Sequence, residues 1–462
     1  MIDQIPPLPG PTSEAARLAH TRKRLRLLTG RWFDDLRAHI SEHFDEVREK
    51  VIGKPDLSTN VLKSVTHQLA VLYDRGAVLG HEDQAGRELA SRLLADAGWG
   101  SIGTRLQRMV LGLRESFIRP TMTGEGLLLR IVTPDMVYAE ADPEQPDCPV
   151  RIWEARVRHL PGEKDPRWFW DHADVSGVPR FAVVDPKTGA DVSAMFEVVS
   201  GSGDEYPYRT PSGVAVLPYA TYHAERTNDL FSWCDDVEAV EGTLTIAVLW
   251  SWWIHTVRDS AWAQRYGVDV DLRGGAVSGD GRKAATFVSS DPSSVMLFRA
   301  NGDKPVLGQW APPVDPQTLG SAIHRFERRL LVHFGLSPGD IQSESINPRE
   351  SGIALAIKRE AVRQAQDRYE PQFRRGDKEL LRIIAAMVPG VPEDGWSITY
   401  PGPRRTIDEI RQIVERSQLS IEAGLSSPVD AYMELHPDVT REQAADALRQ
   451  IATENLTLTP RT

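Results

Sequence analysis

The sequence predicts an α+β chain that is mainly helical, with its strands confined to two places. Three observations lead there. Residues up to about 120 and again from about 404 carry apolar side chains at helical spacing. From Gly124 to His223 the pattern turns to short runs rich in aromatic and β-branched residues. A second, smaller β-like stretch, 267–314, is bracketed by two helices.

Composition narrows the function classes. The 462 residues are 41% hydrophobic and 26% charged, enough apolar surface for a large core. The formal net charge is −11 and the pI is near 5.6, which argues against a protein that coats nucleic acid through a basic surface. Two cysteines, Cys148 and Cys234, exclude a disulfide scaffold and a Cys-rich zinc site. The start, MIDQIPPLPGP, lacks the basic and apolar blocks of a signal peptide. The most apolar stretch, Leu244–Ile254, is too short to span a membrane, so the expectation is a soluble intracellular protein.

The elements follow in order. Residues 1–12 read as a Pro-rich arm, and Ser13 to about Val51 as charged helix. Asn60 caps a helix carrying Val61, Leu62, Val65, Leu69 and Leu72. Helices over about 83–97 and 101–117 are split at Gly98 and Gly100. Strands are predicted at Leu127–Ile131, Arg151–Leu160, Arg167–His172, Pro179–Val184, Met195–Val199 and Val214–His223, with a hairpin turn at 185–189. Their aromatics read as core.

From Asp236 to Tyr266 a helix carries Trp250, Trp252, Trp253 and Trp262. It is apolar on nearly every side over 244–254, so it reads as buried all round. The insert follows, with strands at Ala285–Ser289, Val295–Arg299 and Pro305–Trp310. Asp315-Pro316 opens a second helix, about 316–334. After a loop, Asn347, Pro348 and Glu350 start the longest helical signal, which runs to Met387 with a kink expected near 367–376 at Pro371 and Gly376. A short strand at Trp396–Tyr400 and helices opened by Ser427-Pro428 and by Thr440 with Gln443 complete the chain.

Catalytic patterns are not found. The run from Gly274 to Lys283 lacks the Gly-Lys-Ser/Thr ending and following helix of a phosphate loop, and reads as turns. Asp269 and Asp271 share a strand face without nearby ligands and read as solvated charges. His324 and His333 lack metalloprotease spacing, and His67 reads as a structural histidine. No cofactor or metal is expected. Two basic groups stand out: Arg325, Arg328 and Arg329, and Arg349, Lys358, Arg359 and Arg363. Each is either a phosphate contact or an exposed face of mixed charge, since Glu327, Glu350 and Glu360 are interleaved.

The order of elements resembles the portal protein of tailed bacteriophages. Local wording agrees: Asn60–Tyr73 (NVLKSVTHQLAVLY) is similar to the N-terminal helix of many portals. Glu350–Leu355 (ESGIAL) is similar to the start of their long helix, and Ser420–Leu425 (SIEAGL), with Pro428-Val-Asp nearby, to their tail. The resemblance covers about 55–455. It implies a mainly helical portal fold: N-terminal arm, helices and β-rich wing (1–235), stem helix one (236–266), clip (267–314), stem helix two (315–335), tunnel loop (336–349), long kinked wing helix (350–391) and helical crown (392–462).

That resemblance also implies a function without enzymatic activity. The family forms rings, usually of twelve subunits, at one capsid vertex. Double-stranded DNA passes through the ring, pumped by a separate terminase, whose large subunit is a partner. Head-completion or tail-adaptor proteins, major capsid protein and scaffolding protein are the others; none is a membrane. The implied location is the virion, with host cytoplasm during assembly. The implied channel residues are Gln342, Ser343, Glu344, Ser345 and Asn347 in the tunnel loop and His324, Arg325 and Arg328 on the stem. The implied subunit interface carries Trp250, Trp252, Trp253 and Trp262. Two other readings remain open on the residues alone: a multidomain cytosolic enzyme with a dispersed site, and a non-ring virion adaptor.

Overall fold

The computed structural model describes residues 13–43, 55–159, 165–177, 180–196, 208–226, 228–234, 236–261, 264–268, 295–298, 306–310, 315–334, 336, 352–401, 407–436, 439 and 441–458. The fold is mixed helix and sheet. It opens with α1 (Ser13–Thr29), α2 (Phe33–His43), α3 (Val61–Leu69), β1 (Val78–Gly80), α4 (Gln84–Asp96) and α5 (Trp99–Leu113). Next come β2 (Glu115–Thr123), β3 (Gly126–Val132), β4 (Val137–Ala141), β5 (Pro149–Arg158), β6 (Arg167–Asp174), β7 (Arg180–Val184) and β8 (Ala220–His223). The middle of the chain holds α6 (Val237–Ala261), β9 (Gln264–Val268), β10 (Val295–Phe298), β11 (Val306–Trp310) and α7 (Pro316–His333). It ends with α8 (Gly352–Met387), β12 (Ser397–Thr399), α9 (Ile407–Glu422), α10 (Pro428–Leu435) and α11 (Arg441–Leu458).

The chain divides into two compact units. The larger takes Met1–Gly30, Leu62–Val237 and Phe334–Thr462; the smaller takes Arg31–Val61 and Glu238–His333. In the larger unit β4-β5-β6-β7 form an antiparallel meander, β3-β2-β8 a three-stranded sheet, and β1 pairs with β12. Phe117, Val132, Val137, Ile152, Phe169, Phe181, Val183 and Tyr219 make one core, which is where the aromatic-rich sequence belongs.

Two polar nodes sit inside that unit. Glu154 of β5 and Asp171 of β6 are direct cross-strand partners, and both are fully buried. Two carboxylates in that register repel. Arg119 of β2 resolves the conflict: its Nη1 lies 2.9 Å from Glu154 and 2.5 Å from Asp171, and it donates to Tyr219 Oη at 3.1 Å. Arg130 pairs with Glu154, and Arg156 and Arg158 with Asp171. Burial alone would raise the Asp171 pKa; Arg119, then Arg158 and Arg156, override it and hold the group at about 2.

The second node is Asp377 of α8. Tyr73 and Tyr222 donate to its Oδ1 at 2.8 and 2.9 Å, and Tyr400 to its Oδ2 at 2.6 Å. Gly376 is what lets Tyr222 lie there, because a Cβ would overlap its ring. Gly103 does the same for Tyr73, whose ring stands 2.6 Å from where a Cβ would be. Burial pushes the Asp377 carboxyl up to about 6, with the three hydroxyl bonds acting the other way.

Several sequence expectations are corrected. The helix expected over 13–51 is two helices, separated after Gly30, which takes a left-handed φ of +78°. The helix expected over 101–117 ends at Leu113. Arg114 takes φ +79° and reverses the chain into β2, so the β-rich region begins at Glu115 and not at Gly124. β1 and β4 were not expected. Ser193–Met195 is a 3-10 turn and not the start of a strand, and the strand expected over Val214–His223 is reduced to β8. The turn at 185–189 is present, closed by Gly189 N donating to Asp185 O at 2.8 Å. α6 ends at Ala261, so Tyr266 belongs to β9 and not to the helix. His67 is exposed on α3. The long helix is present as α8, with Pro371 inside it as expected. Ser427 caps α10 in a capping box with Asp430.

Removing Arg119 as Arg119→Met leaves two buried carboxylates facing each other. It is expected to lower stability by about 3–5 kcal/mol, read by urea denaturation. Asp377 has a folded-state pKa above its unfolded value of about 3.9. Between the two values the folded chain holds more protons. This group's contribution is therefore present in full below about pH 4 and lost as pH rises through about 6. Asp377→Asn lacks that dependence. The melting temperature of the wild type, measured relative to this variant, should be higher near about pH 5 than near about pH 7.5; an equal difference at both would overturn the assignment.

Candidate functional site: the helix pair and its faces

The smaller unit is built on α6 and α7, with β9, β10 and β11 between them in sequence. Asp315 caps α7, accepting from the backbone N–H of Gln317 at 3.2 Å and of Thr318 at 3.0 Å, as the Asp-Pro start predicts. The two helices run antiparallel, because contacts climb one as they descend the other. Gly242 faces Leu330, Trp250 faces Glu327 and His324, and Trp253 faces Gly320 and Pro316. The glycines permit the close approach: a Cβ at Gly242 would stand 3.0 Å from Leu330, and one at Gly320 3.2 Å from Trp253 Nε1. The small sheet has the order β10-β9-β11, with β9 parallel to β10 and antiparallel to β11.

Trp250 donates through Nε1 to Glu327 Oε1 at 2.6 Å, and Trp253 donates to the Pro316 carbonyl at 2.8 Å. The Trp250 and Trp253 rings meet edge to face at 5.4 Å, and Trp250 meets the His324 ring at 5.1 Å. His324 Nδ1 lies 2.9 Å from Glu327 Oε2. These two tryptophans, expected at a subunit interface, thus make their polar contacts within the unit.

α2 and residues 55–61 cover other sides of α6. His39 Nδ1 stands 3.4 Å from Glu241, and Asp56 N donates to Ser251 Oγ at 2.6 Å. Leu244, Ile246, Ala247, Val248 and Ser251 are buried. Leu249, Trp250, Trp252 and Trp253 are only half-buried, and Ile254 is 47% exposed, so this helix is not buried all round within one chain. Trp252 shares a face with Glu241 and Thr245 by helical spacing.

α7 divides cleanly. Gly320, Ile323, Leu330 and Leu331 are buried, and Glu327 turns inward to Trp250. The outward face shows Thr318, Ser321, Ala322, Arg325, Arg328, Arg329 and Val332. The interleaving of Glu327 with the arginines, which in sequence suggests mixed charge, is therefore undone in space. His324, expected beside Arg325 and Arg328, sits instead at the flank against Trp250. Trp262 and the tunnel-loop residues Gln342, Ser343, Glu344, Ser345 and Asn347 lie outside the described residues, as do Asp269, Asp271, the 274–283 run, Arg349 and Thr440.

No family model and no curated protein matches the chain. Among solved structures it is similar to a chain from the virion of a native gene transfer agent particle. The identity is 13% and the TM-score 0.42, over 80% of this chain and 88% of that one. It is also similar to a chain from the neck of an empty gene transfer agent particle, at 12% identity and TM-score 0.43, over 79% and 87%.

Among the described residues, no three His, Cys, Asp or Glu side chains gather to hold a metal ion, and no helix is long and apolar enough to cross a membrane. The arrangement offers surfaces: a basic face on α7, and a half-buried aromatic face on α6.

Trp250→Phe keeps the ring and removes the donor to Glu327. It should cost about 1–2 kcal/mol in urea unfolding followed by helical signal, with the fold retained.

Proposed function

We propose that the chain is a portal subunit that assembles into a ring at one vertex of a phage-like capsid. Double-stranded DNA enters and leaves through that ring. One observation carries the reading. An antiparallel helix pair is joined by a small three-stranded sheet and followed by a 36-residue helix running through an interior proline, in the order that the sequence resemblance requires. In this reading α6 and α7 are the stem and β9–β11 belong to the clip. Residues 336–349 are the tunnel loop, with Gln342, Ser343, Glu344, Ser345 and Asn347 lining the narrowest passage. α8 spans the wing, and α9–α11 make the crown.

The partners follow from that role. The ring is a homo-oligomer, usually of twelve copies in this family. The clip receives the terminase and later an adaptor protein, while capsid and scaffolding proteins surround the ring. The protein then belongs to the virion, and to host cytoplasm during assembly. Turnover is left to the terminase.

The half-buried aromatic face of α6 is an interface between copies in this reading, with Trp252 its best probe. Trp253 is bonded to Pro316 within the unit, so replacing it disturbs the helix pair itself. Negative-stain microscopy of the purified chain should show rings with a central hole; dispersed single chains would overturn the proposal. Trp252→Asp should yield folded protein that no longer forms rings, and mass photometry showing intact rings would remove Trp252 from the interface.

A further inference from the structure

The smaller unit has two sides of opposite character. On α7, Arg325, Arg328 and Arg329 are exposed on one face. The one acidic residue of that helix, Glu327, is turned inward. Two apolar side chains lie with the arginines: Val332, 64% exposed and in line with Arg325 two turns on, and Phe326 at the edge, 39% exposed. On the other side, Asp34 and Glu42 share the outward face of α2 with a single arginine, Arg37, while the inward face (Leu36, His39, Ile40) is buried. Glu238 is exposed at the start of α6, and Glu241 is half-exposed one turn later. Trp252 continues the Glu241 and Thr245 face. α6 stands between these two sides, touching α7 through Trp250 and Trp253 and α2 through Glu241 and Thr245.

We propose that the basic face of α7 in one copy docks on the acidic outer side of α2 and α6 in the next copy. The arginines meet Asp34, Glu42 and Glu238, and Phe326 and Val332 add apolar contact near Trp252. Because the two faces are different, the contact is head to tail, and repeated it closes into a ring. The mixture of arginine with exposed aromatic and aliphatic groups favours protein over phosphate: interfaces between chains are enriched in Arg and aromatic residues. Phosphate contacts draw on cationic and polar donors and gain nothing from Val332 or Phe326. Arg325 and Arg328 thereby leave the channel wall and enter the subunit boundary. The inference deepens the portal reading and rests on it.

The test uses the full chain and mass photometry at low and high salt. The first variant is Arg325→Glu/Arg328→Glu/Arg329→Glu. The second is Asp34→Lys/Glu42→Lys/Glu238→Lys. Circular dichroism confirms that each folds. Each variant alone presents like charges on both faces and should shift ring formation to about tenfold higher protein concentration or more. Mixed in equal amounts, the two carry complementary faces and should form rings again. Raising the salt should weaken the wild-type contact. If the wild type forms rings and the arginine variant forms them equally well, the inference fails and the portal reading stands. Loss of DNA retention with intact rings would place this face on DNA instead, and likewise overturns the inference. If the wild type forms no rings at any salt, the portal reading itself falls.

Discussion

One buried carboxylate ties three stretches of the larger unit together. Among the described residues Asp377 has no basic partner bonded to it; its oxygens accept from the hydroxyls of Tyr73, Tyr222 and Tyr400. Those tyrosines come from the segment after α3, from β8 and from the end of β12. A single side chain on α8 therefore fixes three distant stretches of chain. The arrangement works only because glycine stands at 103 and 376, where the Tyr73 and Tyr222 rings lie flush on helix backbone. Neutral donors leave the carboxyl protonatable, whereas the four arginines around Glu154 and Asp171 hold Asp171 ionised. The same problem, a buried acid, is solved in opposite ways a few strands apart.

Arginine is the second recurrent fastener. α1 buries Arg17 and Arg24 along its inner face, a stripe completed by Thr21 and Leu28. Arg17 donates to the carbonyls of Pro134 and Val137 at 2.7 Å each, and Arg24 to those of Gly112 and Asp236 at 3.1 and 2.8 Å. These guanidinium groups add donors to backbone carbonyls at element ends, beside the Val137 N–H in the case of Pro134. Arg17 also lies over the Phe231 ring at 3.9 Å. With Arg114 and Arg119, Arg17 and Arg24 are the buried arginines among the described residues.

What the sequence made legible follows from where local chemistry decides the outcome. Asp315-Pro316 and Ser427-Pro428 set helix starts within one residue, because a cap and a first-turn proline act on their own neighbours. The strand at 115–123 was hidden for the opposite reason. Arg114 reverses the chain in a left-handed conformation that no glycine announces, and the Phe117-Ile118 pair that follows suits a buried helix as well as a strand. The end of α6 at Ala261 was hidden likewise, since Trp262 to Tyr266 carries no breaker before Gly267. At the helix pair, the aromatic content of α6 was plain, but the division of labour among its tryptophans was not. Trp250 and Trp253 are bonded to α7 while Trp252 lies on the Glu241 and Thr245 face, and spacing alone does not assign which face meets which neighbour.

The inward turn of Glu327 changes what the acidic balance of the chain means. Counted along the sequence, α7 mixes charges; in space it shows arginine on one face and hides its acid. If that face lay open to a DNA channel, each ring would present several dozen guanidinium groups to passing phosphates. Binding would then compete with movement, since neutralising each phosphate contributes to affinity through counterion release. Placing the same face between copies removes those groups from the passage and satisfies them with the carboxylates of α2 and α6. In the proposed ring, the −11 charge of each chain would then surround a passage with little to hold DNA. There, a helix with three exposed arginines is compatible with sliding DNA on one condition: that the arginines join subunits rather than line the hole.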